Sequence, residues 1–276
     1  MKSRFFLKIC GSGITAALCL TACAVPETSG QSGAPPVPSR LTAGQLQRVG
    51  QRIWQNECGG TVAGLTSWNT GEDFASLGIG HFIWYPAGKR GPFEESFPPL
   101  LAHLQRSGVA LPEWLRQAGP CPWSSRTAFL ADAKGARQQE LRTLLSQTVA
   151  QQTDFIAARM RAALPKMLSA APASQRAQVQ NGFNALQATP EGTFCLIDYV
   201  NFKGEGVSPT EQYNGQGWGL LQVLAGMTTD RSAPAAFAES AKRVLTNRVR
   251  NAPPARGENR WLPGWLNRCE AYKRPL

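Results

Sequence analysis

The chain has 276 residues, a net charge of +11 at pH 7 and the ordinary composition of a globular protein. It has two histidines and neither a Cys-x-x-Cys nor a His-Glu-x-x-His pattern, which argues against a metal centre, and we expect no cofactor. No Gly-x-Ser-x-Gly pattern occurs, which argues against a serine hydrolase of the α/β type.

Residues 1–22 have the pattern of a signal peptide. Three basic residues precede a short apolar run at residues 11–20, namely Lys2, Arg4 and Lys8. Because that run is too short to span a bilayer, we predict a cleaved export signal and no transmembrane helix. Loss of its three positive charges would leave the processed chain at +8.

The stretch Leu20-Thr21-Ala22-Cys23 resembles the lipobox of bacterial lipoproteins. The resemblance implies cleavage before Cys23 and attachment of lipid to this residue, and two acyl chains suffice for stable anchoring. Ala24 follows, where an aspartate would resemble an inner-membrane retention signal. We therefore expect an anchor in the outer membrane, facing the periplasm. An ordinary secretory signal that contains a cysteine is the alternative.

Residues 23–40 are rich in Pro, Ser and Gly and are predicted to form a tether, because such a composition cannot bury a core. Residues 41–276 follow without a second linker or an internal repeat, and we predict one domain. A basic surface suits an anionic partner such as peptidoglycan, another anionic wall polymer or a phospholipid surface, or it only aids solubility. No nucleic acid partner is expected outside the cytoplasm.

Four cysteines remain in the domain: Cys58, Cys121, Cys195 and Cys269. An even number in an oxidising compartment predicts two disulfides. Three pairings are possible, and the sequence does not choose among them.

The first predicted element is a helix. Thr42 is a suitable N-cap, and apolar residues follow at helical spacing to about residue 56. Glu57 lies at the C-terminal end of this helix, just before the stop signal Gly59-Gly60. After a turn-rich stretch, residues 75–85 are predicted to be extended and to form a small hairpin.

From residue 127 onward the pattern is mostly helical. A long helix is predicted over residues 136–163, with an interruption at Pro165. Further helices are predicted at residues 174–188, 190–201, 217–227 and 234–249. A helix-rich chain with a small β element near its front predicts an α+β fold.

Residues 56–81 combine the groups that glycoside cleavage needs. They include a carboxylate at a helix end, two more after a turn, and a hydroxyl and a histidine on a glycine-rich strand: Glu57, Glu72, Asp73, Ser76 and His81. One carboxyl group must protonate the leaving oxygen, and a second holds water or stabilises the transition state. The apolar neighbours of Glu57 are expected to raise its pKa by desolvation. Trp68 is a candidate substrate contact.

These residues resemble the phage-type muramidase branch of the lysozyme-like superfamily. In that branch a catalytic glutamate ends the first helix, and a hairpin with the pattern Thr-x-Gly-x-Gly-His follows. Residues 76–81, Ser-Leu-Gly-Ile-Gly-His, are similar to that pattern. The resemblance implies that Glu57 is the catalytic acid, that Ser76 helps to place the water, and that His81 corresponds to the family histidine. Structural roles for these three residues are the alternative.

The chain departs from the family pattern in two ways. The spacing from Glu57 to Ser76 is longer, and the family's second carboxylate would fall at Thr70. Glu72 as the second catalytic carboxylate is therefore our own inference, with Asp73 beside it as a substrate contact.

A second cluster, at residues 198–222, interleaves polar, aromatic and glycine residues in the way that sugar grooves are lined. Its candidate substrate contacts are Asp198, Asn201, Glu205, Tyr213, Gln216 and Trp218. The stretch Gly219-Leu220-Leu221-Gln222 is similar to the Gly-Leu-x-Gln stretch of lytic transglycosylases. Asp198 or Glu205 is an alternative second carboxylate. The run of Trp and Arg at residues 256–269 either closes one wall of the groove or packs the last segment onto the core.

We therefore predict a muramidase or lytic transglycosylase that cuts peptidoglycan glycan strands. A lipoprotein that binds the glycan without cutting it is one alternative. A hydrolase of a deacetylated amino-sugar polymer is another, because acidic residues in the groove favour a cationic sugar.

Overall fold

The computed structural model describes residues 41–91, 93–117 and 119–276. The predictions for the signal peptide, the lipidated Cys23 and the tether lie outside these residues. The mostly helical α+β fold is confirmed.

In the described ranges the α-helices are α1 (Ala43–Cys58), α2 (Phe97–Arg106), α3 (Glu113–Arg116), α4 (Arg126–Ala131), α5 (Ala136–Gln147), α6 (Val149–Ala170), α7 (Arg176–Gln187), α8 (Pro190–Lys203), α9 (Leu220–Ala225), α10 (Ala233–Asn251) and α11 (Leu262–Ala271). The strands are β1 (Thr66–Ser67), β2 (Ala75–Leu77), β3 (Phe82–Trp84), β4 (Gln212–Tyr213) and β5 (Gln216–Gly217). None of the helices described is long and apolar enough to cross a membrane.

Helix α1 begins and ends as the sequence predicts. The Thr42 hydroxyl accepts from the backbone N–H of Gln45, and the Gln45 side chain accepts from the backbone N–H of Thr42. This capping box satisfies two N–H groups that the first turn leaves without helical partners. Gly59 closes the helix in the left-handed conformation, with φ of 66°. Glu57 thus lies in the last turn.

Strands β1, β2 and β3 form an antiparallel sheet in chain order, which confirms the predicted hairpin. Ser76 lies opposite Ser67 on one side and Ile83 on the other. The turn between β2 and β3, residues 78–81, carries the glycines and the histidine. Strands β4 and β5 form a second hairpin that was not predicted.

The predicted interruption at Pro165 is wrong. Helix α6 continues through Pro165 to Ala170, and the break lies at Thr148, between α5 and α6. Thr148 has non-helical angles, φ of −114° and ψ of 26°, and its hydroxyl donates to the carbonyl of Leu144. A proline removes one helical hydrogen bond, and tertiary packing along a long helix offsets that cost.

One core holds the helices together, and α8 lies at its centre with nearly all of its residues buried. Helix α6 lies along α1, where Gly50 permits the close approach: a Cβ atom there would be 2.3 Å from the Thr153 hydroxyl. The β2–β3 hairpin and the residues next to it add a smaller apolar cluster of Phe74, Ile83 and Tyr85.

The predicted disulfides are not formed. All four cysteines of the domain are buried, and no disulfide joins them in the described structure. Burial raises the pKa of Cys121 and of Cys269 to about 12 and raises that of Cys195 well above its ordinary value. The even count misled the prediction because a cysteine also packs as a small apolar side chain.

Candidate functional site

Glu57 is half-buried in the last turn of α1, with 25% of its side chain exposed. Its Oε1 atom lies 3.5 Å from Nη2 of Arg268, which α11 brings from the other end of the domain. Arg268 belongs to the Trp- and Arg-rich C-terminal run, and its Cζ also lies 4.5 Å from the Phe202 ring centroid. One end of this run therefore forms a wall beside the candidate acid.

Asp198 lies behind this pair on α8 and is 3% exposed. It accepts from Arg268 at 2.8 Å and 2.7 Å, from the Tyr272 hydroxyl at 2.7 Å and from the Asn56 amide at 3.2 Å. Burial alone would lower the pKa of Arg268, but the charge and hydrogen bonds of Asp198 outweigh burial and raise it. Asp198 is therefore an anchor for a permanent cation.

The hairpin turn meets the end of α1 at Cys58. The Cys58 thiol lies 3.6 Å from the carbonyl oxygen of Gly78 and 3.7 Å from Nε2 of His81. On the other side, the buried side chain of Gln152 accepts from the backbone N–H of Ile79 at 3.0 Å. The structure thus brings His81 next to the helix end that carries Glu57.

Gly78 is required where it stands. Its φ is +69°, and a Cβ atom would lie 2.4 Å from the Gln152 oxygen and 3.0 Å from the Phe82 ring. We expect Gly78→Ala to lower the free energy of unfolding by about 2–4 kcal/mol, from left-handed strain plus overpacking. Gly88→Ala is the matched control, because Gly88 has φ of +73° and open space around it. Urea unfolding of both variants measures the difference, and equal losses would contradict the role of Gln152.

Ser76 is completely buried, and its hydroxyl has no hydrogen-bond partner within the described structure. It projects from the face of the sheet that also carries Ser67 and Ile83, since directly paired residues share a face. In this conformation the hydroxyl does not reach solvent.

Glu72 and Asp73 lie in the β1–β2 connection, at the end of the sheet opposite to the turn that carries His81. Glu72 Oε2 accepts from the Asn69 amide at 2.6 Å, and its carbonyl accepts from the Trp68 indole at 2.7 Å. Asp73 is exposed and lies 3.6 Å from the Lys89 ammonium. The structure therefore places Glu57 and Glu72 beside opposite ends of the same short sheet.

The two tryptophans among the predicted substrate contacts are core residues. Trp68 is 5% exposed and packs on Phe129, and Trp218 is 6% exposed beneath Arg248. Little of either ring faces solvent.

Glu205 follows α8 in a tight loop and is nearly buried, with 4% of its side chain exposed. Its Oε2 atom lies 3.2 Å from the Lys166 ammonium, and its Oε1 atom has no hydrogen-bond partner among the described residues. A buried carboxylate oxygen without a donor is costly and calls for a ligand or water. Asn201 is half-buried in the last turn of α8.

Tyr213 and Gln216 belong to the β4–β5 hairpin, which lies over α10. Gln216 is exposed and accepts from the Asn251 amide at 3.3 Å. The Tyr213 hydroxyl donates to Glu258 at 3.0 Å, and Glu258 accepts from Arg248 at 2.8 Å twice. Arg248 and Glu258 form a buried ion pair that the sequence analysis missed.

Lys203 is a further charged residue that the sequence analysis missed. Its ammonium lies 3.3 Å from the Trp265 ring centroid and 4.1 Å from that of Phe202. Burial and the charge of Arg248 lower its pKa to about 6, against the opposing charge of Glu258. The density of Trp and Arg near the C-terminus was the one sequence signal for this arrangement. It did not indicate which residues would surround Lys203.

We expect Lys203→Met to stabilise the protein. The unfolded lysine keeps its proton to about pH 10.5, and the folded one loses it above about pH 6. Between these values the unfolded state binds more protons, so the wild type gains stability as pH rises. The variant removes that rise and raises the free energy of unfolding at pH 7 by about 1–4 kcal/mol.

Urea unfolding of both proteins at pH 6, 7.5 and 9 tests this, because the difference between them cancels all other titrating groups. Lys134→Met, at an exposed position, is the control and should change stability by no more than about 0.5 kcal/mol. A difference between wild type and Lys203→Met that is constant over the pH range would contradict the prediction.

No protein-family model, no curated protein and no solved structure matches this chain.

Proposed function

We propose that this protein cleaves the glycan strands of peptidoglycan, with Glu57 as the acid that protonates the leaving oxygen. One observation carries the proposal. A half-buried glutamate ends the first helix and lies beside a glycine-rich hairpin turn that holds a histidine against the same helix end. Partial burial favours the protonated form of a carboxyl group, which general acid catalysis requires.

Glu72 is the leading candidate for the second carboxylate. Its side chain is partly exposed on the connection between β1 and β2, and the Asn69 amide fixes it. Asp198 is poorly suited to that role, because Arg268 and Tyr272 already bind both of its oxygens. Glu205 remains an alternative, since one of its oxygens has no partner in the described structure.

The expected location of the protein supports the same substrate. A lipidated Cys23 in the outer membrane, followed by a tether, would place the domain within reach of the wall. A net charge of +11, or +8 after removal of the signal, suits an anionic polymer.

Incubation of the purified domain with isolated sacculi tests the proposal. Release of soluble muropeptides is the expected result, and the product ends identify the reaction: anhydro sugars indicate transglycosylation, and reducing ends indicate hydrolysis. Sacculi that bind the protein and stay intact would overturn the proposal.

The second candidate is a protein that binds peptidoglycan without cutting it. The cation of Arg268 beside Glu57 favours this reading, because a positive charge stabilises the ionised carboxylate and opposes its action as an acid. Co-sedimentation with sacculi in the absence of any released product would support it. A hydrolase of deacetylated glycan is distinguished by comparing acetylated and deacetylated oligomers as substrates.

A further inference from the structure

Arg268 lies between two carboxylates, and it contacts them unequally. Its distances to the two oxygens of Asp198 are 2.8 Å and 2.7 Å, in a bidentate arrangement. Its Nη2 atom, which also donates to Asp198, lies 3.5 Å from Oε1 of Glu57. Bidentate guanidinium–carboxylate pairs are the strong and geometrically defined ones. The position of Arg268 is therefore set by Asp198.

The groups around Asp198 restrain the position of its side chain. The Tyr272 hydroxyl and the Asn56 amide both donate to it, and it is buried on α8. Of its four hydrogen bonds, two come from Arg268 on α11, one from Tyr272 just after that helix and one from Asn56 on α1. Because the fold holds Asp198 rigidly, it also holds Arg268 back from the end of α1.

Asp198 offsets the positive charge that Arg268 brings close to Glu57. Among the described residues, the titratable groups near the end of α1 include Cys58 on α1 itself, His81 on the hairpin turn, Asp198 on α8, Arg268 on α11 and Tyr272 just after α11. The pair of Arg268 and Asp198 has no net charge. Without Asp198, Glu57 would face a full guanidinium, and an adjacent arginine lowers the pKa of a carboxyl group by about one to three units.

We infer that Asp198 is a positioning residue that restrains and neutralises Arg268, so that Glu57 can hold the proton it must donate. This inference rests on the proposed function of Glu57 as an acid. The sequence suggested Asp198 as a substrate contact or second carboxylate. The inference instead gives it control over the protonation of Glu57.

Four variants test it through the pKa of Glu57, measured by ¹³C NMR titration of its carboxyl carbon. Asp198→Asn should lower that pKa by about one unit or more, which leaves about tenfold less protonated Glu57 at neutral pH. Arg268→Gln should raise it, because Asp198 then stands alone near Glu57. The double variant removes both charges and should return the pKa toward that of the wild type. Tyr272→Phe removes one hydrogen bond and no charge, and should shift it least.

The same variants separate the inference from the proposed function. Sacculus cleavage at pH 7 should fall about tenfold in Asp198→Asn, with the alkaline limb of its pH–rate profile moved to lower pH, and should recover in part in the double variant. If Asp198→Asn does not fold, the opposite shift in Arg268→Gln still decides. An unchanged or raised Glu57 pKa in Asp198→Asn, or an unchanged or lowered one in Arg268→Gln, overturns the inference. A wild type that never cuts sacculi overturns the function and leaves the titration result standing.

Discussion

Glu57→Gln is expected to reduce the cleavage of sacculi by about 10²–10⁴-fold, the usual contribution of a positioned general acid. Glutamine has nearly the same shape and still accepts a hydrogen bond from Arg268, but it has no proton to give at any pH. Because Glu57 is half-buried at a helix end and not in the core, the fold should persist. Release of muropeptides, followed over time, measures the loss.

Glu239→Gln is the matched control for this variant. Glu239 is a partly exposed glutamate on α10, paired with Lys242 and Lys273. It carries the same substitution and the same loss of one charge, and should leave the rate unchanged. Equal rates for Glu57→Gln and the wild type would remove Glu57 as the acid. An equal loss in both variants would show that the assay reports net charge and not chemistry.

Glu258→Gln is expected to destabilise the protein by about 3–5 kcal/mol, the cost of removing one partner from a buried ion pair. The Glu258 side chain is fully buried and accepts from Arg248 at two sites of 2.8 Å each. The Arg248 guanidinium also packs 4.0 Å from the Trp218 ring centroid and lies close to Lys203. Without Glu258, the buried Arg248 guanidinium would lose the carboxylate that pairs with it.

The pH dependence of this variant follows from the same geometry. Burial opposes ionisation of Glu258, but hydrogen bonds from Arg248 and Tyr213 and the charge of Arg248 outweigh it and lower its pKa. A lowered pKa contributes stability that is present above the unfolded value of about 4.5 and is lost as the pH falls through the folded value. Wild type should therefore lose stability on acidification below about pH 4.5, and the variant should lose less.

Chemical denaturation at pH 7 and at pH 3.5 measures both effects. Glu239→Gln again serves as the control, since a surface ion pair contributes about 0–1 kcal/mol. A loss in Glu258→Gln no larger than that of the control would show that Arg248 does not depend on its partner.

Local signals in the sequence predicted local structure. Thr42 and Gly59 gave the ends of α1 because capping depends on residues within one turn. Alternating apolar residues and glycines predicted the first hairpin, and helical spacing predicted α7, α8 and α10. Pro165 misled because proline weakens a helix locally, whereas the packing of α6 against distant helices decides whether the helix continues.

In the candidate site, too, local relations were predicted and long-range ones were not. The proximity of Glu57 and His81 was expected from a pattern that spans 25 residues. Arg268, by contrast, lies 211 residues beyond Glu57, and nothing local marks it as the neighbour of that carboxylate. Lys203 and Glu258 were missed for a similar reason: a charged side chain is assumed to be exposed until its buried partner is known.

The four buried thiols have a consequence for how the chain is made. If it is exported as we propose, it arrives unfolded among oxidants, with thiols near their unperturbed pKa of about 8.5. Thiol–disulfide exchange proceeds through the thiolate, so the unfolded chain is open to wrong pairing. Once the chain is folded all four are buried, and the raised pKa values of Cys121, Cys195 and Cys269 keep those three thiols protonated, which stops the reaction there. The speed of folding, and not any covalent bond in the finished fold, then sets how much of the protein escapes mispairing.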